Sequence, residues 1–154
     1  MPQFTAEIIW DRGSEAFADN RYSRAHQWQF DGGLTVPGSS SPQSVPLPMS
    51  DPAALDPEEA LVAALSSCHM LFFLSIAAQR GLVVDRYVDH AVGSMEKDGD
   101  GKMAITRITL APAITFSGEL APDVAQLDAI HHAAHQRCYI ANSIKAEVII
   151  KGPN

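Results

Sequence analysis

Two cysteines, Cys68 and Cys138, are the residues of this chain best suited to chemistry, and they stand 70 positions apart. That spacing is not the C-x-x-C of a zinc or thioredoxin-like site, and two cysteines are too few for a secreted disulfide framework. In a reducing compartment they are either two buried apolar residues or one redox pair. Composition alone favours the first, because free cysteine is among the most buried residue types. The second carries a chemical requirement. The thiolate is the reactive form, and burial by itself raises a thiol pKa, so a reactive cysteine needs a positive charge close by. The helix dipole cannot serve Cys68, which lies about three turns into a predicted helix whose end field fades within the first turn. Arg12, Arg21 and Arg24 are the upstream candidates. Arg24 is best placed, on a predicted strand face shared with Trp28 and Phe30. The constellation is therefore Glu58 and Cys68 on one helix, Cys138 at the end of a second, and an arginine from the N-terminal strands.

The histidines raise a rival chemistry. His131 and His135 lie at i, i+4, the spacing that puts two imidazoles on one metal, with His132 beside them. The sequence is H-H-x-x-H, without the glutamate of H-E-x-x-H, and no third ligand can be named, so no metal is expected and solvated or partly packed histidines are the reading. His69 is about 100° round the helix from Cys68 and reads as a neighbour, not a catalytic base. Asp98 and Asp100 carry a faint echo of a calcium loop, but its other ligands and terminal glutamate are missing, and a plain turn is the expectation.

The elements that must position these residues start from a long helix over 57–81. Leu61, Leu65, Cys68, Phe72 and Ile76 alternate at spacings of four and three, which predicts a buried face with the thiol pointing into packing. Asp56 is a natural N-cap, Pro57 suits the first turn, Glu58 and Glu59 complement the positive end of the dipole, and Arg80-Gly81 closes the helix. Ala63, Ala64, Ser66 and Ser67 leave a flat side for close approach. Period-2 alternation predicts strands at 3–10 and 22–30, then a turn at Asp31-Gly32-Gly33 and a short strand at 34–36. The proline- and serine-rich stretch 37–57 reads as an ordered loop leading into the helix. After the helix, 82–96 carries apolar residues broken by polar ones and its latter part alternates as a strand, 97–101 turns, and a strand over 103–110 resumes at 114–116 past a bend at Pro112. A second helix opens at Pro122 and runs to about Arg137 and Cys138, and 144–150 is a closing strand. The order β-β-β-α-β-β-α-β argues an α+β fold with an antiparallel sheet and two helices, in one domain over 1–154.

Bulk composition narrows the partners. The net charge is −7 and no Lys/Arg cluster occurs, which speaks against nucleic acid or an anionic membrane surface. No run approaches the roughly 18 consecutive apolar residues of a membrane span, and the N-terminal stretch lacks a signal-peptide pattern. A cytoplasmic location is the expectation.

The stretch D-P-E-E-A-L-V-A-A-L-S-S-C-H-M, residues 56–70, resembles the signature of the OsmC/Ohr family of peroxiredoxin-like thiol peroxidases. In that family an N-P-E-x-L segment precedes a helix whose peroxidatic cysteine comes ten residues after the glutamate, the interval from Glu58 to Cys68. The family's second cysteine and following Asn-Ser are matched by Cys138 to Ser143, although Tyr139 stands where proline is common. The resemblance implies an OsmC-like fold, antiparallel sheets wrapped around two long central helices in an intertwined homodimer with sites at the interface. It also implies an enzyme of oxidative stress defence that reduces organic hydroperoxides without a cofactor. Cys68 would be peroxidatic and Cys138 resolving, an arginine taken here as Arg24 would stabilise the thiolate, Glu58 would hold that arginine, and an external dithiol would reduce the disulfide. The alternative is a non-enzymatic thiol protein binding a hydrophobic ligand at the dimer interface, which would not require Cys68, Cys138 and Glu58 together. Ten residues of helix separate Glu58 from Cys68 by roughly 15 Å. A glutamate and an arginine span only part of that within one subunit, so the simplest geometry takes Glu58 or the arginine from a second chain.

Overall fold

Three small sheets and two helices make up the computed structural model, which describes residues 1–152. They fall into two compact units that divide between Ala60 and Leu61.

In the first unit β1 (Ala6–Ile9), β2 (His26–Phe30) and β3 (Thr35–Gly38) form an antiparallel meander in that order. Ile8 opposes Trp28, and Trp28 opposes Val36, so apolar side chains pair across the same face. The β2–β3 turn closes with Gly33 at φ +85° and its N–H on the Phe30 carbonyl at 2.9 Å. Gly38 answers a different need. Its position faces His26 across the strands, where Trp28 Nε1 donates to His26 Nε2 at 2.8 Å, and a Cβ there would fall 2.5 Å from that His26 nitrogen and within overlap of the indole. The loop after β3 is ordered, as the sequence predicts: Ser39 N–H and Leu55 N–H bond back to Leu55 O and Pro37 O, each at 3.0 Å. It ends in a capping box, where Asp56 Oδ1 accepts from Glu59 N–H (2.7 Å) and Glu59 Oε2 accepts from Asp56 N–H (3.3 Å).

Helix α1 (Pro57–Gln79) follows that cap and ends where the sequence places its stop. Gly81 takes φ +75°, and the N–H groups of Gly81 and Leu82 return to Ala78 O and Ala77 O, a Schellman closure. Beyond it lie β4 (Val83–Asp89), β5 (Val92–Lys97), β6 (Met103–Leu110), β7 (Pro112–Ser117), α2 (Val124–Arg137), a 3-10 turn (Ala141–Ser143) and β8 (Glu147–Ile150). Where one strand is expected in the latter part of 82–96 there are two across the whole stretch, interrupted after Asp89, and a break at Ala111, before Pro112, divides their partner in the same way. The result is one bent hairpin whose halves pair as β4–β7 and β5–β6, both antiparallel. β8 joins β6 in parallel, with Ile108 beside Val148, so the sheet is not wholly antiparallel.

The core of this unit is two clusters. Phe73, Ile76, Ala77, Ile130 and Ala134 pack under β4 and β7, while Leu65, Ile108, Leu110 and Cys138 pack with residues of β6 and β8. The packed stripe of α1 is Leu65, His69, Phe73, Ile76 and Ala77, not the predicted stripe through Cys68 and Phe72. α1 is apolar nearly all round, so its pattern does not single out one face, and a small rotation brings His69 inward and leaves Cys68 half-buried at the edge. Contrary to the expectation that no run approaches a membrane span, α1 is long and apolar enough to cross a bilayer by length and composition, because its serines, cysteine and histidine interrupt the apolar run without adding charge; 28% of that window is buried in the single chain.

Candidate functional site

The four residues singled out by sequence come together as two pairs, one in each unit. In the second unit Cys138 caps the C-terminus of α2, its N–H on His135 O, and is fully buried. Its sulfur accepts from Ala141 N–H at 3.4 Å, a bond offered by the first residue of the 3-10 turn. Cys68, on α1, packs against the same cluster, and both thiols are free. Burial, and next the neighbouring Cys68 thiol, push the Cys138 thiol up to about 11, so Cys138 keeps its proton at neutral pH. Cys68 opens onto a cavity of about 450 Å³ walled by Ala64, Leu71, Phe72, Tyr139 and Ile140, with Ser67 and Ser75 at its edge. None of these lining residues is charged. Tyr139 closes one wall edge-on against Phe72, ring centroids 5.2 Å apart.

In the first unit Arg24 and Glu58 line one cleft of about 480 Å³, together with Trp10, Phe17, Tyr22 and His26. Arg24 stands ahead of β2, not on the strand face predicted for it. Its guanidinium lies 3.7 Å over the Tyr22 ring, and it donates to the Tyr22 carbonyl and to Asn20 O (3.1 Å) and Asn20 Oδ1 (2.9 Å). Asn20 sits at φ +60°, a left-handed conformation that asparagine tolerates and that turns both its oxygens toward the guanidinium. The backbone of Arg24 is held as well. Because His26 Nε2 accepts from Trp28, its Nδ1 carries the proton and donates to Arg24 O at 2.7 Å. Arg12 and Arg21 do not line the cleft; Arg12 instead donates to Glu15 O at 2.6 Å. Arg24 and Glu58 form no ion pair, and among the described residues the sole ion pair is the exposed Arg107–Glu147, 3.4 Å.

A family model described as OsmC-like protein matches residues 50–151, which include Glu58 and both cysteines. The chain belongs to the OsmC-like family. An OsmC-like protein of unknown function from Vibrio cholerae is 51% identical over 98% of this chain and 99% of its own, with a TM-score of 0.96. Two more distant structures share the fold. An organic hydroperoxide resistance protein from Elizabethkingia anophelis is 14% identical (98% of this chain, 94% of its own, TM-score 0.70), and that of Bacillus subtilis is 20% identical (96% and 98%, TM-score 0.61). None of the curated proteins compared with the chain matches it. The α+β architecture expected from the sequence is thus that of OsmC-like proteins.

One feature of this OsmC-like chain escapes its sequence. His69, read as a neighbour of Cys68, and His131, read as solvated or partly packed, are 1% and 6% exposed and share a hydrogen bond of 3.0 Å between Nε2 and Nδ1. Their rings are nearly parallel, and Phe73 packs on His131 with centroids 4.5 Å apart. Asp89, at the end of β4, accepts from Ser66 Oγ (2.5 Å) and Ala111 N–H (2.7 Å) nearby in the same unit. With Nδ1 of His131 turned to His69, the two are an internal pair, and among the described residues no group of three or more His, Cys, Asp or Glu is arranged to hold a metal.

Burial, then the His131 and His135 charges, lower the His69 pKa to about 4; burial also lowers that of His131, against the raising pull of Asp128 and Asp89. The unfolded chain, with histidine near its usual value of about 6.5, therefore takes up protons first on acidification. The contribution of His69 to stability is complete above that value and is lost as pH falls toward 4. At about 1.4 kcal/mol per unit this is on the order of 3 kcal/mol. Denaturant titrations at pH 7 and pH 4.5 should show a loss of that order in wild type and a clearly smaller one in His69→Leu. Equal losses in the two proteins would remove His69 as the cause.

Proposed function

We propose that this OsmC-like protein is a thiol peroxidase that reduces organic hydroperoxides, with Cys68 peroxidatic and Cys138 resolving. The observation that carries the reading is the pairing of a half-buried Cys68, facing an apolar cavity, with a fully buried Cys138 in the same side-chain cluster. The apolar walls suit a hydroperoxide with a hydrocarbon body better than hydrogen peroxide, whose hydration they would strip without compensation.

The Cys68 thiolate attacks one peroxide oxygen, the O–O bond breaks, and the alkoxide leaves and is protonated to the alcohol. The Cys68 sulfenic acid then condenses with the Cys138 thiol, whose proton leaves with the hydroxyl as water, forming a disulfide. An external dithiol reduces that disulfide and is itself oxidised. Arg24, pinned by Asn20 and Tyr22 but with its Nε–H free of a partner among the described residues, would stabilise the thiolate and departing alkoxide. Glu58, in the same cleft, would orient it. The working form would be a cytoplasmic homodimer, requiring neither metal nor cofactor and taking neither nucleic acid nor membrane as partner.

The test is a steady-state assay with cumene hydroperoxide and a dithiol reductant beside the same assay with hydrogen peroxide. The expected result is turnover with kcat/KM at least about ten-fold higher for the organic peroxide, the lower end of what one buried methylene contributes. No turnover with either peroxide would overturn the proposal in favour of ligand binding alone.

A further inference from the structure

The two thiols ride on helices whose backbones scarcely approach each other, so side chains set the spacing between α1 and α2. Most of those side chains are apolar: Phe73, Ile76 and Ala77 meet Ile130 and Ala134. Such contacts are non-directional and define relative rotation less sharply than a hydrogen bond does. His69–His131 is the one hydrogen bond between the two helices among the described residues. A bond of 3.0 Å between facing ring nitrogens fixes both separation and rotation, because it weakens steeply off line. Burying two imidazoles for one such bond is a poor way to gain stability, since an apolar pair of similar volume would avoid their desolvation.

The placement of the pair gives it another use. His69 follows Cys68 directly on α1. His131 precedes Cys138, the C-cap of α2, by seven residues, within about 20° of two full helical turns, and both side chains are buried. A rotation of α2 that broke the bond would swing the Cys138 sulfur on the same face. We propose that the His69–His131 hydrogen bond is a positioning clamp that holds Cys138 in register with Cys68 for disulfide formation. This rests on the peroxidase reading above. His69 and His131 are positioning residues: neither touches the peroxide, and each acts through the cysteine that its own helix carries or ends on.

The clamp governs a competition. Once Cys68 is a sulfenic acid, it either condenses with the Cys138 thiol, releasing water, or reacts with a second hydroperoxide, giving the sulfinic acid and an alcohol. Misplacing Cys138 slows only the first branch, and a displacement near 1 Å costs such reactions up to about 100-fold. The full-length protein is treated with a fixed excess of cumene hydroperoxide, and the disulfide and Cys68 sulfinic acid are quantified by peptide mass spectrometry. Wild type should give mainly disulfide. His131→Leu, which keeps bulk but not the bond, should raise the ratio of sulfinic acid to disulfide by roughly ten-fold or more. His131→Asn, whose amide places a polar atom where Nδ1 stood, should return the ratio to within about two-fold of wild type.

A merely structural role would lower the melting temperature of both variants without separating their ratios. Should His131→Leu fail to fold, His69→Met against His69→Gln makes the same comparison from α1. A folded variant lacking the bond that partitions like wild type overturns the clamp and leaves the peroxidase reading standing. A wild-type protein in which peroxide leaves both thiols free overturns the peroxidase reading, and the clamp with it.

Discussion

Cys68→Ser should lower organic hydroperoxide turnover by at least about a thousand-fold, because a serine hydroxyl has neither the accessible anion nor the soft nucleophilicity that attack on an O–O bond requires. The substitution changes one half-buried atom at the edge of the cluster, so the folded protein should be retained and the loss should lie in chemistry. Mass spectrometry separates the two cysteines. After one equivalent of peroxide wild type should lose about two hydrogens and yield a peptide joining Cys68 to Cys138. Cys138→Ser should instead gain oxygen on Cys68, and Cys68→Ser should be unchanged, since the thiol of Cys138 is pushed up to about 11 and stays protonated. Wild type found with Cys68 as sulfinic acid and Cys138 free would remove the resolving role. Peroxide turnover surviving in Cys68→Ser would place the chemistry elsewhere.

The boundaries of α1 were legible because each rests on local chemistry: Asp56 and Glu59 bond each other's backbone, and Gly81 adopts the left-handed conformation that closes the helix. The closeness of Cys68 and Cys138 was legible only through family resemblance, since 70 residues of intervening chain leave no local trace of it. Other features depend on partners that a local pattern does not name. The break between β4 and β5 falls at His90-Ala91, which interrupts no hydrophobic period, and the parallel seating of β8 on β6 is decided by the whole fold. Arg24 was placed on a strand by alternation, yet Asn20 and Tyr22 hold it in the turn before that strand. His69 was hidden for the opposite reason. On a helix apolar on every side the period does not say which way a histidine points, and only its partner 62 residues away explains its burial.

Subunits made inactive in different halves of the site should restore activity when mixed. Arg24→Ala removes the cation from the first-unit cleft and should itself cost about 100-fold or more in kcat, as loss of a charge-stabilising donor does; Cys68→Ser removes the nucleophile. Reach within one chain sets the geometry. On a helix rising 1.5 Å per residue, Glu58 and Cys68 are roughly 15 Å apart along the axis, and Arg24 shares its cleft with Glu58. On the roles proposed above, an arginine oriented by Glu58 would act most simply on the Cys68 sulfur of another chain. Each heterodimer of the two variants would carry one site with both groups intact and one with neither. Random reassortment of equal amounts makes half the dimers mixed, each with one working site of two, so about a quarter of wild-type activity per protomer should return. The measurement is co-expression with two different affinity tags, tandem purification of the mixed species and assay with cumene hydroperoxide. The purified heterodimer itself should then show about half the wild-type activity. Heterodimers no more active than the parents would mean that arginine and cysteine serve the same chain, and a fully active monomer in sedimentation would end the two-chain site.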